Sequence, residues 1–151
     1  MTSRPLPRPP LILGAAGVLP PLLCVALSLA DPTLAWPATV AGGVYAALIL
    51  SFLGGLWWME ALIRGEGRTG PYLAAVAPSL IGWAVMLPPM LGTGSLAGAL
   101  PILGLVILLT PLVDARLGGT VRQMPGWWRL RLALSTGLGG LTLLLGLIAP
   151  R

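Results

Sequence analysis

Side chains that carry or exchange charge are scarce in this chain. Its 151 residues include nine arginines, four acids (Asp31, Glu60, Glu66 and Asp114) and one cysteine, with neither lysine nor histidine. Without histidine there is no Ser-His-Asp triad and no imidazole ligand for a metal. Pumps and transporters place ionisable groups inside the membrane because they must bind charge there. Here all four acids flank apolar blocks instead of interrupting them, so no proton wire is visible. The expectation is a protein that is not an enzyme and has no cofactor and no metal site.

A few polar motifs remain. Gly65-Glu66-Gly67-Arg68-Thr69-Gly70 matches GxGxxG. A dinucleotide fingerprint needs a strand before it and a helix after it, whereas an apolar helical segment precedes this one, so it reads as an interhelical loop. Glu60 and Arg64 are spaced as an i, i+4 helical pair. Asp114 closes one apolar block and Arg131 opens the next, so the two are expected to pair, with Glu60 as another possible partner of Arg131. Such a pair sets helix register. Cys24 lies in an apolar run, reads as a small hydrophobe, and can form no intrachain disulfide. The connection from Arg116 to Arg129 contains Met124-Pro125-Gly126-Trp127-Trp128. Its mix of positive charge and indoles suits anionic lipid head groups or a partner protein.

The elements that position these groups follow from composition. The chain is 56% hydrophobic and 9% charged with a mean hydropathy of +0.93, whereas soluble domains are about 25% charged. A membrane-spanning helix needs about 20 apolar residues. Five segments qualify, at about 11–30, 36–58, 72–91, 95–113 and 129–149, giving an all-α, polytopic bundle and one transmembrane domain over 1–151. Residues 31–35 and 92–94 are short enough to make the helices they join antiparallel neighbours.

With the N-terminus cytoplasmic, Arg4, Arg8, Arg64, Arg68, Arg116, Arg122, Arg129 and Arg131 share one side and only Arg151 lies on the other. The positive-inside rule therefore expects the N-terminus in the cytoplasm and the C-terminus in the periplasm of a bacterial inner membrane, and that balance leaves nucleic-acid binding an unsuitable reading. Trp36 and the pair Trp57 and Trp58 bracket the second span as aromatic belts. Arg4 and Arg8 before an apolar stretch ending in Ser28-Leu29-Ala30 resemble a signal peptide. The apolar region exceeds the usual length of about 7 to 15 residues, and Pro20-Pro21 interrupts it, so the first span is expected to be retained.

Small residues recur every four positions at Gly43, Ala47, Ser51 and Gly55, and at intervals of three or four at Ser135, Gly139, Thr142 and Gly146. Such seams let backbones approach in lipid, so the second and fifth spans are expected to be in closest contact. Gly94 and Gly98 form a weaker GxxxG. Pro20, Pro21, Pro78, Pro101 and Pro111 fall within spans and are expected to kink them. Trp83 lies mid-span, where its indole N–H needs a partner, and a core contact is expected.

LGAAGVLP (Leu13 to Pro20), Tyr45 with LSFLGGLWW (Leu50 to Trp58), PSLIGW (Pro78 to Trp83), Asp114 and MPGWWRLRLALS (Met124 to Ser135) stand in this order. Together they resemble domain of unknown function 3429, a group of small integral membrane proteins of proteobacteria and animal mitochondria. The resemblance spans about residues 13–148, with one departure at Met59, where the family tends to have Gly. It implies a fold and a membrane setting, without an established activity, and draws attention to Tyr45, Trp58, Trp83, Asp114 and Arg131.

Candidate structural or partner-contact residues are thus Tyr45, Trp58, Glu60, Trp83, Asp114, Trp127, Trp128 and Arg131, with Gly43, Ala47, Ser51, Gly55, Ser135 and Gly139 as the packing seam. The leading expectation is an accessory subunit or assembly factor packed against a larger respiratory or photosynthetic membrane complex, in contact with anionic lipids. The alternative is a small carrier or lipid-binding protein, which would require a midplane cavity lined by groups such as Ser79, Thr110 or Ser135.

Overall fold

A computed structural model describes residues 7–117 and 125–150. Arg4, Arg122, Met124 and Arg151 lie outside them, as does the middle of the Arg116–Arg129 connection. Among the described residues six helices follow in order: α1 (Arg8–Ala16), α2 (Leu19–Ala30), α3 (Pro32–Ile63), α4 (Thr69–Met90), α5 (Leu96–Leu117) and α6 (Trp127–Ile148). With α1 and α2 taken together, five helical segments are long and apolar enough to cross a membrane, and no strand occurs among the described residues. The protein is a multi-pass, all-α membrane protein.

The first span breaks just ahead of the expected point. Proline lacks the N–H that would bond four residues back and its ring crowds that carbonyl, so Pro20 and Pro21 act on Ala16 and Gly17. The helix stops at Ala16 and restarts at Leu19, with the prolines in the tolerant first turn. Pro78, Pro101 and Pro111 lie inside helices that continue through them. At Pro111, the carbonyl of Ile107 that loses its backbone donor accepts from Thr110 Oγ1 at 2.6 Å.

Helix ends run past the hydropathy limits because backbone bonding is indifferent to where apolar residues stop. α3 starts at Pro32, not 36, since Asp31 caps it: Oδ1 accepts from Thr33 N at 2.8 Å and from Thr33 Oγ1 at 2.7 Å. Its 32 residues would reach about 48 Å, more than the roughly 30 Å hydrocarbon layer. Gly65, with φ +62°, then ends it, and Glu66 N donates to Ala61 O at 3.0 Å in a Schellman-type closure. The GxGxxG stretch is therefore a helix stop and an interhelical turn, with Arg68 closing onto Glu66 at 2.9 Å.

In lipid, helices associate through close packing and not through water exclusion. The closest packing joins α5 to α6 and α3 to α4, while α3 and α6 meet only sparsely, which corrects the expected contact of the second and fifth spans. The glycines show why. A Cβ on Gly104 would sit 2.8 Å from Gly139 O, and one on Gly146 would meet Pro101. Gly54 faces the carbonyl of Ala75, and Gly82 faces Ala47. These four glycines thus serve the adjoining helix in the chain, whereas Gly42 on α3 meets Leu145 of α6. Gly43 is buried against Met86, but Ser51 and Gly55 are exposed, with nothing within 4 Å of a Cβ at Gly55. Gly94 lies in the turn before α5, beneath Pro88, so its GxxxG forms no helix seam. Leu50, Leu100, Leu103, Ile107 and Leu145 form the centre of the core.

Candidate binding cleft and its buried ion pair

Three helices bring one polar network together near one end of the bundle. Asp114 stands one turn before the end of α5, Arg131 one turn into α6, and Trp57 on α3. Arg131 Nε donates to Asp114 Oδ2, as expected from the sequence. The other carboxylate oxygen accepts from Trp57 Nε1 at 2.5 Å. Arg131 Nη1 donates to Ser135 Oγ, one turn along α6, at 3.0 Å, and Ser135 Oγ lies 3.4 Å from Thr110 Oγ1. The network therefore ties the close α5–α6 seam to α3 through side chains of unlike chemistry.

Arg131 is 5% exposed, and its Nη2 is buried with no hydrogen-bond partner among the described residues. A buried donor left unmade costs about 1–3 kcal/mol, more when charged. Nη2 itself is covered, so an acceptor reaches it only when the guanidinium or its cover shifts.

The same residues close one end of a cleft of about 630 Å3 between α1, α3, α5 and α6. Its walls are mostly apolar, including Leu13, Gly14, Ile49, Leu56, Ile107, Leu134 and Leu138, and its polar lining is Trp57, Glu60, Asp114, Trp127 and Arg131. The cleft exists because α1 buries none of its residues and touches little besides α6. Leu13, Phe52 and Met59 on its rim are exposed, so it opens sideways toward lipid. Ligand sites commonly occupy about 300–1,000 Å3, apolar with a few convergent polar groups.

The chain's relationships fit this picture of a site without a known chemistry. A family model described as a protein of unknown function (DUF3429) matches residues 6–148. The chain belongs to the DUF3429 family. No curated protein and no solved structure matches it.

The residues singled out in this DUF3429 chain separate into three groups. Asp114, Arg131, Glu60 and Trp127 line the cleft, with Ser135 behind Arg131. Tyr45 lies deeper, donating to Gly17 O at 2.7 Å, and Trp58 packs edge-on against Tyr72 with ring centroids 5.0 Å apart. Trp83 and Trp128 face outward; Trp83 is 63% exposed, which overturns its expected core contact. Arg64 donates to Leu117 O at 2.6 Å, joining α3 to the end of α5. Thr110 and Ser135 belong to the network behind the cleft wall and Ser79 bonds to Val76 O, so none of these three lines the cavity as expected.

Sequence reading grouped Trp57 with Trp58 as an aromatic belt and missed its role. The signal was present: Trp57 continues the buried stripe of Leu50, Leu53, Gly54 and Ala61 at helical spacing, while Trp58 falls on the exposed side. Gly17 gave no signal of its own, because its partner Tyr45 stands 28 residues away.

Proposed function

We propose that this protein holds a membrane amphiphile in the lateral cleft, with the head at the Arg131–Asp114–Trp57 network and the tail between α1 and α3. The observation that carries this reading is the unfilled donor of buried Arg131 on a residue that lines the cleft. A neutralised ion pair on an apolar cleft suits binding better than catalysis, and the chain has no histidine to move protons. Placement in a bacterial inner membrane, with the N-terminus cytoplasmic and the C-terminus periplasmic, draws its support from the arginines. Arg8, Arg68, Arg129 and Arg131 stand at helix starts and Arg64 and Arg116 at helix ends, so spans that alternate in direction bring all six to one side.

A second reading is an accessory subunit or assembly factor of a larger membrane complex. It is favoured by the outward-facing Trp83, an indole placed within a span without being packed inward. Purification in mild detergent followed by native mass spectrometry tests both readings. The first expects a chain carrying one small amphiphile, displaced by Leu56→Trp, which fills the cleft. A bare monomer would overturn it, and co-migration of the empty chain with a large assembly would support the second.

A further inference from the structure

The polar end of the cleft and its apolar length lie at different depths. Arg131 is the fifth residue of α6, about 6 Å along the axis from its start. Asp114 is the fourth from the end of α5. Both residues therefore stand within about one turn of the helix ends that carry the arginines. From there the lining descends through Leu134 to Leu138, about 10 Å deeper than Arg131. One polar rung at the interface above an apolar slot is the profile of a bilayer lipid.

Charge narrows the head. The positive charge of Arg131 is met by Asp114, so among the described residues this pair leaves no surplus positive charge to hold an anion inside. What remains is a donor seeking an uncharged oxygen. Farther out, the exposed Arg8 and Arg129 stand within two residues of the lining residues Pro10 and Leu130, on the arginine-bearing side. A phosphate outside and a carbonyl inside match that order.

We propose that the cleft seats one glycerophospholipid from the arginine-rich leaflet. An ester carbonyl accepts from Arg131 Nη2, one acyl chain fills the slot between α1 and α3, and the phosphate stays at the rim beside Arg8 and Arg129. This rests on the reading of the cleft as an amphiphile site.

The test uses the full chain in nanodiscs of phosphatidylglycerol and phosphatidylethanolamine doped with a prenylquinone and a free fatty acid, with the retained molecule identified by native mass spectrometry. One phospholipid per chain is expected. A dialkyl-ether phosphatidylglycerol of equal chain length, lacking the carbonyls, should bind roughly tenfold more weakly, as loss of one hydrogen bond to a charged group implies. In the double variant Asp114→Asn, Arg131→Met, which removes both charges together, ester and ether lipids should bind alike. Folding of that variant is checked by its helicity and melting temperature, and Leu56→Trp supplies a block that leaves the ion pair in place. Equal binding of ester and ether by the native chain, or retention of the quinone or fatty acid instead, overturns the phospholipid assignment while leaving an amphiphile site. Retention of nothing, unchanged by Leu56→Trp, overturns the cleft reading itself.

Discussion

Tyr45 in the middle of α3 donates its hydroxyl to the carbonyl of Gly17 at 2.7 Å, across the break between α1 and α2. Pro21 supplies no N–H to that carbonyl, so a side chain from the next span takes over the bond that a regular helix would have made. The break is thereby held at a fixed point on α3, and α1 hangs from it as one wall of the cleft.

Tyr45→Phe removes the donor and keeps the ring. The expected loss is about 1 kcal/mol, the usual range for one hydrogen bond between helices in a membrane. Hydrogen exchange should rise in α1 and around Gly17 while α5 and α6 keep their protection. Unchanged exchange at residues 8–18 would show that the bond does not hold the break.

The ion pair predicts strong non-additivity. Arg131→Met leaves Asp114 with only Trp57, and Asp114→Asn leaves a buried guanidinium without its counter-charge; each single change should cost about 3–5 kcal/mol. Removing both should recover much of that loss, because the uncompensated charge disappears. Trp57→Phe takes away one donor to the carboxylate and should cost about 1.5–3 kcal/mol. Unfolding of the four variants in one detergent gives the cycle, and simple additivity would refute a coupled network.

How much of this was legible beforehand depended on the range of the interaction. The span count was readable because a bilayer demands long apolar runs, and charges end them visibly. The Asp114–Arg131 pair was readable because both residues flank one short connection between neighbouring helices. Helix partners were not: Gly43, Ala47, Ser51 and Gly55 share a spacing, yet the buried glycines of α3 are Gly42, Gly43 and Gly54. A four-residue repeat follows a line that drifts around a 3.6-residue helix, so it does not say which end of the line meets a neighbour. Nor did hydropathy show that α1 would stand off and leave a cleft.

That drift makes Gly54 and Gly55 a paired test. A methyl at Gly54 would collide with the backbone oxygen of Ala75, which cannot rotate away, so Gly54→Ala should force α3 and α4 apart and destabilise the protein by about 1–3 kcal/mol. Gly55→Ala meets nothing within 4 Å and should be neutral or stabilising by up to about 1 kcal/mol through helix propensity. Melting temperatures in detergent compare them directly. Equal effects would mean that the α3–α4 contact is not as close as described.

At the turn between α3 and α4, Arg68 holds the carboxyl of Glu66 down to about 2, chiefly through side-chain hydrogen bonding. A folded value below the ordinary 4.5 means the contribution to stability is complete above that ordinary value and disappears as pH falls toward 2. Arg68 is solvent-exposed and Glu66 partly covered, so the effect on global stability is small. Carbon-13 NMR of Glu66 should show the low midpoint, and Arg68→Ala should return it toward 4.5. A Glu66 titrating near 4.5 in the native chain would exclude the pair.

The topology follows from where the turns lie. In a Cys24→Ser background, Glu66→Cys places a thiol in the turn after α3, and Thr93→Cys places one in the turn after α4. Consecutive antiparallel spans put these turns on opposite faces, and the proposed orientation, which follows the positive-inside rule, has the arginine-flanked turn at Glu66 facing the cytoplasm. A membrane-impermeant maleimide added to intact spheroplasts should therefore label Thr93→Cys and spare Glu66→Cys until the membrane is opened. The reverse pattern would invert the protein, moving the ion pair, the cleft mouth and its arginine rim to the periplasmic leaflet. Labelling of both from outside would contradict the span between them, because α4 could not then separate the two turns.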